Sequence, residues 1–144
     1  MKKLFLYLFL FFLLFNIKIN SFSSSNFFKE AKKLYDQNKI EKSKFLLHRN
    51  IVFNPKHSKS YLYLAKIYKD EENDSEFEKN LNTTLLLNPK DEEAMYMLIN
   101  FNLKKSNFSE VKKLTEKFLI ICSKLCNKKN VIEENLKNIE LDIK

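Results

Sequence analysis

Asn-Pro-Lys occurs twice in this sequence, at 54–56 and 88–90, and its prolines, Pro55 and Pro89, are the only two present. The chain has no glycine at all. Together these facts leave few folds open. Tight hairpins and β-bulges lean on glycine's freedom at positive φ, so an antiparallel sheet would have little to turn on. Proline ends helices, because it lacks the ladder N–H and pushes the preceding residue out of helical geometry. Two identical stops, in a chain without glycine, predict an all-α protein of repeated units.

The residues between the stops carry the same message. Overlaying the stretch that ends at Pro55 on the one that ends at Pro89 sets Ala31 on Ala65 and Leu34 on Tyr68. It also sets Leu47 on Leu81 and Ile51 on Leu85. In the second block Tyr61, Leu64, Ala65 and Tyr68 recur at three- and four-residue steps, so they share one helix face. Phe77, Leu81, Thr84 and Leu85 do the same beyond the polar turn at 70–74. A third block continues with Met95, Leu98 and Ile99, a polar turn at 104–107, then Phe108, Val111, Leu114, Phe118 and Leu119. Its closing Asn-Pro is replaced by Ile121-Cys122-Ser123. Two amphipathic helices in each period from one proline to the next are the mark of a solenoid.

This pattern resembles the tetratricopeptide repeat family from Ser24 to Leu125. Tyr61, Leu64, Ala65, Tyr68, Phe77, Leu81 and Pro89 of the middle unit fall where that family has aromatic, aliphatic, small or proline residues. The first unit keeps Phe27, Ala31, Leu34, Leu47 and Pro55 but has Glu30 and Asn50 at usually apolar and small positions. The third has Asn102 in place of an aromatic. The resemblance implies an α-solenoid of three helix-turn-helix units, 24–57, 58–91 and 92–126, with a capping helix at 127–144. On that helix Val131, Ile132, Leu136 and Ile139 are expected on the side that covers the last apolar face.

The resemblance also implies a concave groove that accepts an extended peptide or a partner's helix. Carried over by position, it presents Phe28, Lys32 and Tyr35 from the first unit. Lys59, Leu62, Tyr63, Lys66 and Lys69 come from the second, and Glu93, Tyr96, Met97 and Asn100 from the third. Aromatic rings beside lysines suit an amphipathic or acidic protein segment; the alternative is a solvated face with incidental rings. Some family members clamp a chain-terminal carboxylate with lysines, asparagines and an arginine. Lys32 fits one such place, but Phe28, Tyr63, Glu93 and Met97 replace the others. The clamp is broken.

Lys2 and Lys3 precede an unbroken apolar run, Leu4–Phe15. As a helix it would cover roughly 18 Å, short of the ~30 Å core of a bilayer. It reads as a secretory signal, with Ser21-Phe22-Ser23 as the cleavage site and a mature start at Ser24. An uncleaved anchor is the alternative, and the domain is exported, to the periplasm or cell envelope, in either case. No cysteine follows the run, which argues against lipoprotein processing.

Without Lys2, Lys3 and Lys18, the 26 basic and 18 acidic residues become 23 and 18, a surplus of five instead of eight. These charges are interleaved and include one arginine, Arg49, so a solvated surface is expected, not a nucleic-acid footprint. Cys122 and Cys126, four apart in a helical pattern, read either as small buried apolar residues or, in an oxidising compartment, as a disulfide. No metal, cofactor or catalytic site is expected. Glycine-rich phosphate loops are excluded by composition, and His48 and His57 have no partner legible in the sequence. Glu71-Glu72, Glu92-Glu93 and Glu133-Glu134 read as solvated helix ends. The expected function is an exported protein–protein adaptor. A membrane-anchored envelope subunit and a lysine surface on anionic lipid or nucleic acid are the alternatives.

Overall fold

The computed structural model describes residues 24–142, with side-chain surroundings from 26 to 137. The expected signal or anchor lies outside the described residues, as does the Ile139 side chain. Seven α-helices follow in order: α1 (Ser24–Asp36), α2 (Ile40–Phe53), α3 (Ser58–Asp70), α4 (Asp74–Leu87), α5 (Glu92–Lys104), α6 (Phe108–Ile121) and α7 (Lys129–Asp142). A 3-10 turn, Cys126–Lys128, precedes α7, and the described residues include no strand. Lengths of 13 and 14 residues alternate from α1 to α6. The helices pair as hairpins, α1 with α2, α3 with α4 and α5 with α6. Contacts of α2 with α3 and of α4 with α5 stack the hairpins, and α7 closes on α6. This is the α-solenoid with a cap that the repeat predicts.

The proline junctions share one geometry. Asn54 and Asn88 leave the helix at φ −140° and −139°, and their N–H groups donate to the carbonyls of Asn50 and Thr84. The next turn is closed by N–H groups of His57 and Asp91 donating to Asn54 and Asn88, each at 3.1 Å. Proline occupies the second place of that turn, where its fixed φ is pre-set. At the third junction α6 stops at Ile121 and Cys122 turns extended, at φ −63° and ψ 137°. Cys122 and Cys126 are disulfide-bonded with Cα atoms 5.2 Å apart. They do not share a helix, and Cys126 is exposed. The reading as a buried apolar pair is thus corrected, because the helix ends before Cys122 and carries neither residue.

The three hairpin bends are also alike, and none contains glycine. Asn38, Glu72 and Ser106, at the same place in successive units, take left-handed φ values of 58°, 55° and 57°. Each sits in the same paired-bond cap. Around Glu72, Asn73 N–H donates to Tyr68 O at 2.9 Å and Glu72 N–H to Lys69 O at 3.2 Å. That cap normally takes glycine, since any Cβ is crowded at positive φ.

Leu47, Leu62, Leu64, Ile67, Leu81, Ile99, Phe118 and Ile132 are fully buried in one continuous core. Ala31 and Ala65 are fully buried too, and their small size lets neighbouring helices close on them. Of the polar departures from the family pattern, Glu30 is exposed, while Asn50 and Asn102 are buried and satisfied inside. Asn50 Nδ2 donates to Ser60 Oγ at 2.8 Å, and Asn102 Nδ2 to Leu98 O at 2.9 Å while its Oδ1 accepts from Asn107. An unpaired buried amide would cost about 1–3 kcal/mol. On α7, Ile132 is buried and Leu136 packs on the core, but Val131 is 44% exposed. Its expected place in the interface is corrected: one residue is a turn of about 100° on a helix, and that carries Val131 off the covered face.

Candidate partner-binding groove

Only a narrow stripe of α3 reaches the concave surface. Lys59, Tyr63, Lys66 and Asp70 follow at steps of four, three and four, with Lys69 beside them, while Leu62, Leu64, Ala65 and Ile67 are buried. Leu62, expected in the groove, has no exposed surface and is corrected to the core. The physical reason is position. A central helix is covered by hairpins on both flanks, so its buried arc is wider than its apolar stripe alone suggests.

The groove has a volume of about 820 Å³. It brings together seven of the expected residues: Tyr35, Lys59, Lys66, Lys69, Glu93, Tyr96 and Met97. A second hollow of about 780 Å³ shares Lys69, Tyr96 and Met97 and adds Asn100. Phe28, Lys32 and Tyr63 lie toward the first unit and do not line either hollow. There Tyr63 is wedged between Phe28 and Tyr35 at ring-centre distances of 5.6 and 5.3 Å, both edge-on. Lys32 is paired with Asp36 at 2.6 Å along its own helix.

Several groove charges are already committed. Lys66 lies 2.7 Å from Glu93 and 4.7 Å over the Tyr63 ring. Lys59 donates to Asp91 at 2.8 Å. Asp91 is nearly buried, caps α5 by accepting the Ala94 N–H at 3.2 Å, and also accepts from Asn88. Burial, and then the neighbouring Asp70, raises the Tyr35 phenol above its ordinary range, so it stays a neutral donor. Lys69, Lys90, Lys124 and Lys128 also line the groove, and none has a carboxylate partner among the described residues. Lys128 stands 5.9 Å from the Tyr96 ring centre.

The far wall was missed by reasoning from the first helix of each unit. Lys124, Leu125 and Lys128 come from the disulfide loop and the turn after it. Glu92 holds that loop in place. Its carboxylate accepts from Ser123 Oγ at 2.7 Å and from the N–H groups of Lys124 and Leu125 at 2.9 and 2.8 Å. These bonds, the serine hydroxyl first, bring its pKa down to about 2. The reading of Glu92-Glu93 as a solvated helix start is corrected, since both side chains have specific partners. The recurrence of lysine at the repeat interval, in Lys56, Lys90 and Lys124, was the available signal for the loop's place in the repeat.

His57, for which the sequence shows no partner, is half-buried at the start of α3. Its Nδ1 is 3.0 Å from Ser60 Oγ, and its ring is 4.5 Å from that of Phe28. Burial lowers its pKa.

No protein-family model and no curated protein matches the sequence. Solved structures do match its fold. The first tetratricopeptide domain of Spaghetti (RPAP3), bound to the HSP90 peptide SRMEEVD, superposes with a TM-score of 0.71. It is 15% identical and covers 87% of this chain and 99% of its own. The Yersinia enterocolitica type III secretion chaperone SycD, in complex with a peptide of the translocator YopD, gives 0.70 at 14% identity, over 88% and 99%. The Sgt2 tetratricopeptide domain from Aspergillus fumigatus gives 0.62 at 14% identity, over 83% and 78%. The chain has the tetratricopeptide-repeat fold.

Proposed function

We propose that the concave groove holds a segment of another protein and that this chain is a small exported adaptor. One observation carries the reading. Tyr35, Tyr96 and Met97 form an aromatic and thioether floor beside Lys69, Lys90, Lys124 and Lys128, which have no carboxylate partner among the described residues. Rings and methionine offer adaptable contact area, and free ammonium groups steer and register acidic side chains. An amphipathic, acidic peptide or helix fits that chemistry. Two proteins of the same fold hold peptides in their solved structures, which supports the reading by analogy.

The chain acts in this reading as a binding module, not an enzyme, with no cofactor, and its partner is a protein, not a nucleic acid. Its route is export, by a signal removed after Ser23; a chain retaining Leu4–Phe15 would be tethered at the envelope membrane. Mass measurement of the mature N-terminus separates these, a start at Ser24 supporting removal. For the groove, the full chain is used to capture partners from an envelope extract. Reversing Lys69, Lys124 and Lys128 to glutamate lowers capture about tenfold or more, as loss of binding anchors does. Unchanged capture by a folded variant overturns the reading.

A further inference from the structure

One edge of the solenoid carries a row of apolar side chains that the groove does not explain, beside a row of lysines of which two, Lys90 and Lys124, also line the groove. Val52, Leu86 and Ile120 occupy the next-to-last residue of α2, α4 and α6, each one repeat beyond the last. They are 76%, 80% and 84% exposed, the three most exposed large apolar side chains among the described residues. Four residues after each, at the tips of the junctions, stand Lys56, Lys90 and Lys124, all exposed. The repeat therefore writes an apolar row and a lysine row along the same edge, three times over. Between Leu86 and Ile120 a mostly apolar cleft of about 520 Å³ continues the row inward over Leu85, Pro89 and Leu98, and its one carboxylate, Glu110, is paired with Lys113. The acids nearest the lysine tips are turned to internal partners: Asp91 to Lys59 and the start of α5, Glu92 to the disulfide loop.

A solvated edge would have no use for three apolar side chains on a chain already able to bury its core. We propose that this edge lies on an anionic lipid surface. The apolar row enters the boundary between headgroups and acyl chains while the lysine row meets lipid phosphates, the pairing that holds amphipathic surfaces on membranes. The course of the chain agrees. Phe27, near the start of α1, stacks on Phe53 with ring centres 5.6 Å apart, so the chain enters the fold beside Val52. In a chain that retained the apolar run Leu4–Phe15, residues 16–23 would join that run to the same end of the fold. Lys90 and Lys124 are shared with the groove, but Val52, Leu86 and Ile120 are not, so the readout at position 86 reports the edge alone and its failure would leave the groove reading intact.

The chain has no tryptophan, which supplies the test. Protein beginning at Ser24 and carrying Leu86→Trp, and separately Gln37→Trp at the opposite edge, is mixed with vesicles of phosphatidylglycerol and phosphatidylcholine with brominated acyl chains. The expected result is a blue shift and loss of emission at position 86 but not at 37. Vesicles of phosphatidylcholine alone do not produce it, and Lys56→Gln with Lys90→Gln and Lys124→Gln abolishes it. Ile120→Trp gives the same reading should Leu86→Trp disturb the fold. Equal quenching at both edges, no quenching at position 86 on bound protein, or equal quenching on neutral vesicles overturns the proposal. So does a blue shift at position 86 that grows with protein concentration without lipid, which would mark edge-to-edge pairing of copies.

Discussion

The Glu92 carboxylate accepts the backbone N–H of Leu125 across 2.8 Å, joining the first turn of α5 to the loop closed by Cys122 and Cys126. With the bonds from Ser123 and Lys124, it makes the far wall of the groove a fixed surface. The ionised form is favoured, so the contribution to stability is complete above the ordinary value of 4.5 and is lost as pH falls through about 2. Carbon-detected NMR titration should place Glu92 near the low value in the oxidised protein. Reduction of the disulfide frees the loop and should move it back toward 4.5. An ordinary value in the oxidised form would contradict the contact.

Glu72 and Ser106 hold positions in the hairpin bends that favour glycine. A left-handed residue with a Cβ costs about 1–2 kcal/mol, part of which is offset by the greater unfolded freedom of glycine. Glu72→Gly should therefore raise stability by roughly 0.5–1 kcal/mol, seen as a gain of about 2–5 °C in Tm. Asn38→Gly should gain less, because asparagine tolerates this region. Loss of stability at Glu72→Gly would show that the bend is held by something other than the cap.

Leu62 and Lys69 separate core from groove. Leu62→Ala should cost about 2–5 kcal/mol in chemical denaturation, as expected for a fully buried leucine. Lys69→Ala, at an exposed site, should stay within about 0.5 kcal/mol while weakening partner binding. Equal effects of the two substitutions on stability would contradict the placement of Leu62.

The architecture was legible because its signals are local. Pro55 and Pro89 act on their own backbones, and Ala65 with Tyr68 and Leu81 needs only a helix period to be read as core. The groove was half-legible. Tyr35, Lys66, Tyr96 and Met97 follow from the repeat register, whereas Leu62 does not, because an amphipathic pattern says which face is buried but not how widely. Glu92 and Ser123 are far apart in sequence and nothing local links them. The bends at 70–74 and 104–107 are legible from their polarity, but the left-handed φ of Glu72 and Ser106 is not, because the residue that usually signals it is absent.

His57 provides a pH dependence of known sign. Its folded pKa lies below 6.5 because burial disfavours the imidazolium. Above 6.5 both folded and unfolded chains are neutral there and stability is full. Below 6.5 the unfolded chain takes up the proton first, so stability falls. His57→Gln should flatten the Tm profile between about pH 5 and 7, leaving the slope due to His48, whose pKa burial also lowers. An unchanged slope would mean that the Ser60 and Phe28 contacts do not hold the ring in solution.

In the proposed function, partners enter the concave face. A photoreactive residue at position 97, on the floor of the groove, should crosslink a protein partner in intact cells. The same residue at position 78, exposed on α4, should not. Crosslinks from position 78 with none from 97, in a folded protein, would place recognition on the convex face and contradict the account.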